Sequence, residues 1–254
     1  MRLLQIVLFS VLLCISDAQS RKPVLSPPVL SVKLGETAIF NCDVEFKDGW
    51  STAFFQQIPG EAPKLLLHHY YTYKAPVYGP GVSAAHFTAT VNSARTAYQL
   101  HISKAEVTDT ALYHCLDWYV SCPGWALARL AVWVFSQSSK LIVTVDNFPK
   151  PSVYIFPPPT QDLVANEDRT FTCQFRNLTV GLVKVRWTLD GTDLNNGIQT
   201  SLPSRDSDSS FSLSSYLTMP VASLDQNKVY ACLIEQEGSG AVTSKSVKLS
   251  ECTK

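Results

Sequence analysis

A chain of 254 residues in which 21 basic and 21 acidic residues cancel has no net charge to draw a nucleic acid or an anionic membrane, and it is long enough for one large or two ordinary domains. Seven cysteines are present without a single CxxC pair, which sets the chain apart from the clustered ligands of zinc modules.

The first element in chain order is a secretory signal, predicted at residues 1–18, MRLLQIVLFSVLLCISDA. Arg2 is the positive flank, Leu3 to Ile15 the apolar run, and Ser16 and Ala18 the small residues before a cut. That run is too short to span a bilayer, and the next apolar stretch, Ala126 to Phe135, is about half a span and contains Arg129. The expectation is a secreted, extracellular product with no membrane insertion of its own. Cys14 leaves with the signal, so Cys42, Cys115, Cys122, Cys173, Cys232 and Cys252 meet an oxidising compartment in which disulfides persist.

Residues 54–67, FFQQIPGEAPKLLL, predict a strand, a tight turn and a second strand, because Pro59 presets φ and Gly60 takes a conformation closed to other residues. Further on, AYQLHIS turns Tyr98, Leu100 and Ile102 inward, VKVRWTL does the same with Val183, Val185 and Trp187, and FSLSSYLTM resumes the pattern after a loop rich in Ser and Asp. Helical periodicity is absent over any useful length. Cys42 and Cys115 enclose one long segment and Cys173 and Cys232 another. Each second cysteine follows a tyrosine, Tyr113 or Tyr230, by two positions, and an aromatic, Phe54 or Trp187, stands a little after each first cysteine. Short strands with this Cys, aromatic, Tyr and Cys spacing predict an all-β chain of two immunoglobulin-like β-sandwich domains in tandem. In that fold a bridge joins the two sheets across each core, and closing loops of this length stabilises each domain by roughly 4 kcal/mol in the chain-entropy model. The boundary is placed near Asp146, giving domains 19–146 and 147–254. SSKLIVTV before it reads as a last strand, and proline-rich DNFPKPSVYIFPPPT after it reads as a linker entering a first strand.

The hairpin FFQQIPGEAPKLLL resembles the framework hairpin of antibody light-chain and T-cell-receptor variable domains, and DTALYHC resembles the motif that closes the same domain. PSVYIFPPP, KVRWTLDG, FSLSSYLTM and KVYACLIEQEG resemble the light-chain constant domain along nearly its whole length. The resemblance is to an immunoglobulin light chain, a V-type domain followed by a C1-type domain, and it implies intradomain bridges Cys42 to Cys115 and Cys173 to Cys232. Cys252, in the terminal SECTK, matches the cysteine that links a light chain to its heavy chain. By the same resemblance Phe55, Gln57, Pro63, Leu65 and Phe135 would face a partner variable domain, with Gln57 able to exchange amide hydrogen bonds with a partner glutamine. Tyr154 and Phe156 would meet the first heavy-chain constant domain. Antigen contact would fall to loops near Asp43 to Ala53, His68 to Tyr78 and Leu116 to Val134, with Tyr70, Tyr71, Tyr73, Trp118, Tyr119 and Trp125 as rigid aromatic anchors. The implied partners are therefore a heavy chain and an antigen, and no cofactor or metal is implied.

The chain departs from that family in four places. Phe54 replaces the usual core tryptophan. After Phe135, FSQSS puts Ser136 and Ser138 where the family has the glycines of a bulge; serine accepts positive φ poorly, so the bulge is expected to be reshaped or absent. Unconventional light-chain isotypes of lower vertebrates depart here too, and the sequence resembles such an isotype more than a kappa or lambda chain. The last variable loop is long and delta-receptor-like, as a read-through splice site would also make it. It carries Cys122, for which a bridge within the loop, to a partner, to another copy, and a free thiol all stand open. Lastly, Asn177 in NLT is a glycosylation acceptor sequence on a predicted loop. A surrogate light chain that only assembles with a heavy chain, and a soluble T-cell-receptor-like chain, are the alternative functions. Catalysis has no support in HExxH, phosphate-loop or GxSxG patterns, and His68 and His69, adjacent on a strand, point to opposite faces and make no metal pair. Of these two, one is expected at the partner interface and the other in solvent.

Overall fold

Strict alternation of apolar and polar residues leaves a strand one face to bury, and two sheets back to back bury both. The computed structural model describes residues 22–44, 51–121, 130–159 and 168–252, together with Gln5. The chain divides into two compact units. Strands of the first are β1 (Val24–Ser26), β2 (Val29–Lys33), β3 (Ala38–Asp43), β4 (Ser51–Gln57), β5 (Lys64–Tyr70), β6 (Val77–Tyr78), β7 (Phe87–Val91), β8 (Ala97–Ile102), β9 (Ala111–Ser121), β10 (Leu130–Phe135) and β11 (Ser139–Thr144). They form one sheet in the order β1-β3-β8-β7 and a second in the order β2-β11-β9-β4-β5-β6, with β10 added on β9.

The two sheets are joined by the disulfide Cys42–Cys115 between β3 and β9. Around it Phe40, Tyr98, Leu100, Ile102 and Leu141 are fully buried. Phe54 is buried as well, directly across the β4–β9 ladder from Cys115. Tyr113 stacks on Phe40 with centroids 5.3 Å apart, donates its hydroxyl hydrogen to Asp109 O at 2.8 Å and accepts from Gln56 Nε2 at 3.0 Å. Those bonds satisfy a polar tip inside the core and fix the corner where the chain enters β9.

The second unit repeats the plan. Its strands are β12 (Ser152–Phe156), β13 (Asp168–Leu178), β14 (Val183–Leu189), β15 (Thr192–Leu194), β16 (Ile198–Thr200), β17 (Ser204–Arg205), β18 (Phe211–Pro220), β19 (Val229–Gln236) and β20 (Val242–Lys248). One sheet runs β12-β13-β18-β16 with β17 on β18, and the other runs β15-β14-β19-β20. Cys173–Cys232 joins them, and Trp187 lies opposite Cys232 in register, as Phe54 lies opposite Cys115. Trp187 also donates its indole N–H to Ser215 Oγ at 2.9 Å, a bond that Phe54 has no atom to make. Among the described residues no helix is long and apolar enough to cross a membrane.

The segment after Phe135 keeps a bulge without glycine. Phe135 pairs with Leu116 and Ser139 with Tyr113, so Ser136, Gln137 and Ser138 stand opposite only His114 and Cys115. Neither serine has a positive φ. Ser136 is buried instead: its N–H reaches Cys115 O at 2.8 Å, and its Oγ accepts the Cys115 N–H at 3.0 Å while donating to Gln137 O at 2.7 Å. A side-chain oxygen thus replaces backbone freedom as the device that holds the bulge. Ser136→Gly is expected to lose about 1–2 kcal/mol in urea unfolding, because the buried Cys115 N–H loses its acceptor and the unfolded chain gains freedom. A stabilised variant would contradict this account.

Candidate functional site

On the second sheet of the first unit the inward face is the core, so the outward face carries whatever the opposite parity supplies. Phe55 lies across from His114 on β9 and Leu65 on β5. Its ring is 5.4 Å from that of Phe135, which is itself 6.4 Å from the His114 ring in an edge-on contact. His114 Nε2 is 3.1 Å from Gln57 Oε1, and burial lowers the imidazole pKa, which favours the neutral ring there. Phe135 is 47% exposed, Phe55, Gln57 and Leu65 are half-buried, and Pro63 is exposed. The result is a continuous apolar and aromatic face with one amide and one neutral imidazole at its centre.

The run of three leucines has a geometric explanation. Phe54 pairs with Leu67 but Phe55 pairs with Leu65, so Leu66 is an extra residue in β5. This bulge lets Leu66 and Leu67 both turn inward, where each is fully buried, and leaves Leu65 on the outer face. It also shifts the parity beyond it. His69 is buried inside the sandwich at 6% exposure, with its ring 6.0 Å from that of Tyr98, rather than at an interface or in solvent, while His68 is half-buried.

At the end of the sheet, Tyr70 packs on Tyr71 and Tyr73 with centroids 4.8 and 5.3 Å apart, and Arg95 caps Tyr71 at 4.2 Å. The segment expected as one long loop, Leu116 to Val134, is largely a hairpin stem: β9 and β10 pair from Leu116 with Phe135 out to Ser121 with Leu130. Residues suited to strands, Trp118, Tyr119 and Val120 on β9 and Val132, Trp133 and Val134 on β10, carry the ladder past Trp118, where the pairing of β9 with β4 ends. Trp118 sits opposite Trp133 with centroids 5.9 Å apart, and Trp133 is 61% exposed. Tyr119 lies in the stem, but its side chain falls outside the described residues, as do Cys122, Trp125 and residues 45–50 of the first loop.

In the second unit Tyr154 and Phe156 point to the same side of β12, each 49% exposed. Across the sheet Phe156 pairs with Thr172 and Thr172 with Tyr216, which is also exposed and extends the patch. Only parity against Cys173, which places it outward, marks Tyr216 in the sequence. Cys252 is an exposed thiol following the turn Leu249–Glu251, its Sγ 3.5 Å from Lys248 O. Asn177, expected on a loop, lies instead in β13 at the register break between Phe175 and Leu178, exposed at a positive φ of 56°, its amide donating to Ser152 Oγ at 3.1 Å.

An immunoglobulin V-set domain matches residues 25–121, and an immunoglobulin C1-set domain matches residues 153–239. The adjacent phenylalanines of β4 therefore serve opposite faces, and substitution separates them. Phe54→Ala is expected to cost about 3–5 kcal/mol through the cavity it leaves, whereas Phe55→Ala should cost about 1 kcal/mol or less in the isolated chain. Urea unfolding of the two variants measures both, and equal losses would contradict the assignment of faces.

Proposed function

We propose that this chain, an immunoglobulin V-set domain followed by an immunoglobulin C1-set domain, is a secreted light chain that pairs with a heavy chain and contributes half of an antigen-binding site. The observation that carries the reading is that, among the described residues, each unit turns an aromatic face outward: half-buried Phe55 and Leu65 with exposed Phe135 in the first, exposed Tyr154, Phe156 and Tyr216 in the second. Burying such faces is worth about 25 cal/mol per Å², and leaving them wet invites association. Gln57 and the neutral His114 supply polar pairing at the centre of one face, where a partner's amide can meet them. Exposed Cys252 supplies a covalent link.

Antigen recognition belongs to the other end of the first unit. Tyr70, Tyr71 and Tyr73 form one aromatic group and Trp118 with Trp133 another, so large side chains are held before any ligand arrives. The extended β9–β10 stem favours a second reading, a T-cell-receptor-like chain whose projecting hairpin dominates contact. A glycan on exposed Asn177 is compatible with either.

Co-expression with an immunoglobulin heavy chain distinguishes the two. The expected product is a disulfide-linked complex on non-reducing electrophoresis, with Cys252 mapped to the heavy chain by mass spectrometry. Secretion only as an unlinked single chain would overturn the light-chain reading.

A further inference from the structure

Beneath the binding loops the interior of the first unit changes from apolar to polar. Thr52 on β4 is the cross-strand partner of both His69 on β5 and Asp117 on β9, so the three make one row over adjacent strands. They are 0%, 6% and 5% exposed. Tyr98, fully buried on the opposite sheet, lies against the row through His69. Among the described residues, Thr52 Oγ1, His69 Nδ1, Tyr98 Oη and Asp117 Oδ1 all lack a hydrogen-bond partner. Buried polar atoms are almost always paired, so four left over in one place call for an explanation.

Their positions supply one. Thr52 stands at the end of the first loop. His69 opens the second, with Nε2 3.4 Å from Tyr73 O. Asp117 opens the β9–β10 hairpin and accepts the backbone N–H of Trp118. We propose that Asp117 is a positioning residue that couples the roots of all three loops through its proton. With the proton on, the Asp117 carboxyl is a neutral acid in a buried row; with the proton off, a charge sits there with the Trp118 N–H donating to it, and the roots loosen.

Burial pushes the Asp117 carboxyl up to about 7, opposed by the Trp118 N–H. Among the described residues, the titratable groups around the row are His69 from β5 and Tyr98 from β8, the latter pushed up to about 12 by burial first and by Asp117 second. Arg95, Tyr71 and Tyr70 act on Tyr98, and Arg95, the one cation among these groups, is stacked over Tyr71. The folded carboxyl holds its proton more tightly than an unfolded aspartate, near pH 3.9. Its stabilisation is therefore complete below about pH 4 and is lost as pH rises through about 7. If the loops bind antigen, as proposed above, recognition should weaken over the same rise.

The test is a carbon-13 carboxyl titration of the full chain by NMR, with the amides of Thr52 and Trp118 followed together and the His69 ring carbons followed separately. The expected result is an Asp117 midpoint near 7, shared by the Thr52 and Trp118 amides and absent from those amides in Asp117→Asn. An Asp117 midpoint near 4, or amides that do not follow it, would overturn the proposal. These readouts need no ligand, so a chain that shows the shared midpoint but binds no antigen in complex with a heavy chain would retain the coupling and reject the recognition reading.

Discussion

A strand side chain has two directions open to it, and a bridge between two sheets settles which one every neighbour takes. Cys115 points inward to meet Cys42, so Tyr113 and Asp117, two residues to either side, point inward with it. His114, between two of them, points outward. Ladder pairing carries the same decision to the adjoining strand, where Phe54 opposite Cys115 is core and Phe55 opposite His114 is surface. The second unit obeys the same constraint through Cys173 and Cys232, with Trp187 in the role of Phe54. In each unit the core and the outward faces near the bridge follow from one covalent contact and a period of two, until a bulge such as that at Leu66 resets the count.

That dependence decides what is legible in the sequence. The inward set Tyr98, Leu100 and Ile102 and the aromatics near each bridge were legible because their parity runs unbroken from a cysteine. Parity also marks Asp117 and Thr52 as inward, two residues beyond Cys115 and two before Phe54, but their polar side chains give no sign of burial. His69 was not legible, since the extra residue at Leu66 inverts the count beyond it and no local residue type announces that bulge. The hairpin stem past Leu116 was hidden for a different reason. Its strands extend beyond the sheet that would normally set their length, so only their mutual pairing defines them. Ser136 shows the converse: the family's glycines are missing, yet the bulge persists because a hydroxyl makes a bond that conformational freedom would otherwise replace.

The same constraint distributes chemistry over the first unit. Its middle is apolar and bridged, its outer face is aromatic around Gln57 and His114, and its loop end holds a polar row under tyrosines and tryptophans. Stability resides in the first of these; on the readings proposed above, the second serves association and the third adjustment. A residue can be altered in one region with limited effect on the others where no side chains are shared.

The central claim is that the aromatic face of the first unit is a pairing surface. Hydrogen–deuterium exchange of the chain alone and in complex with a heavy chain tests it most directly. The account predicts slower exchange on binding in β4 and β5 around Phe55 and Leu65, and in β9 and β10 around His114 and Phe135, with β1, β3, β7 and β8 unchanged. Protection confined to those four strands of the opposite sheet, or no change around Phe55 in a stable complex, would contradict it.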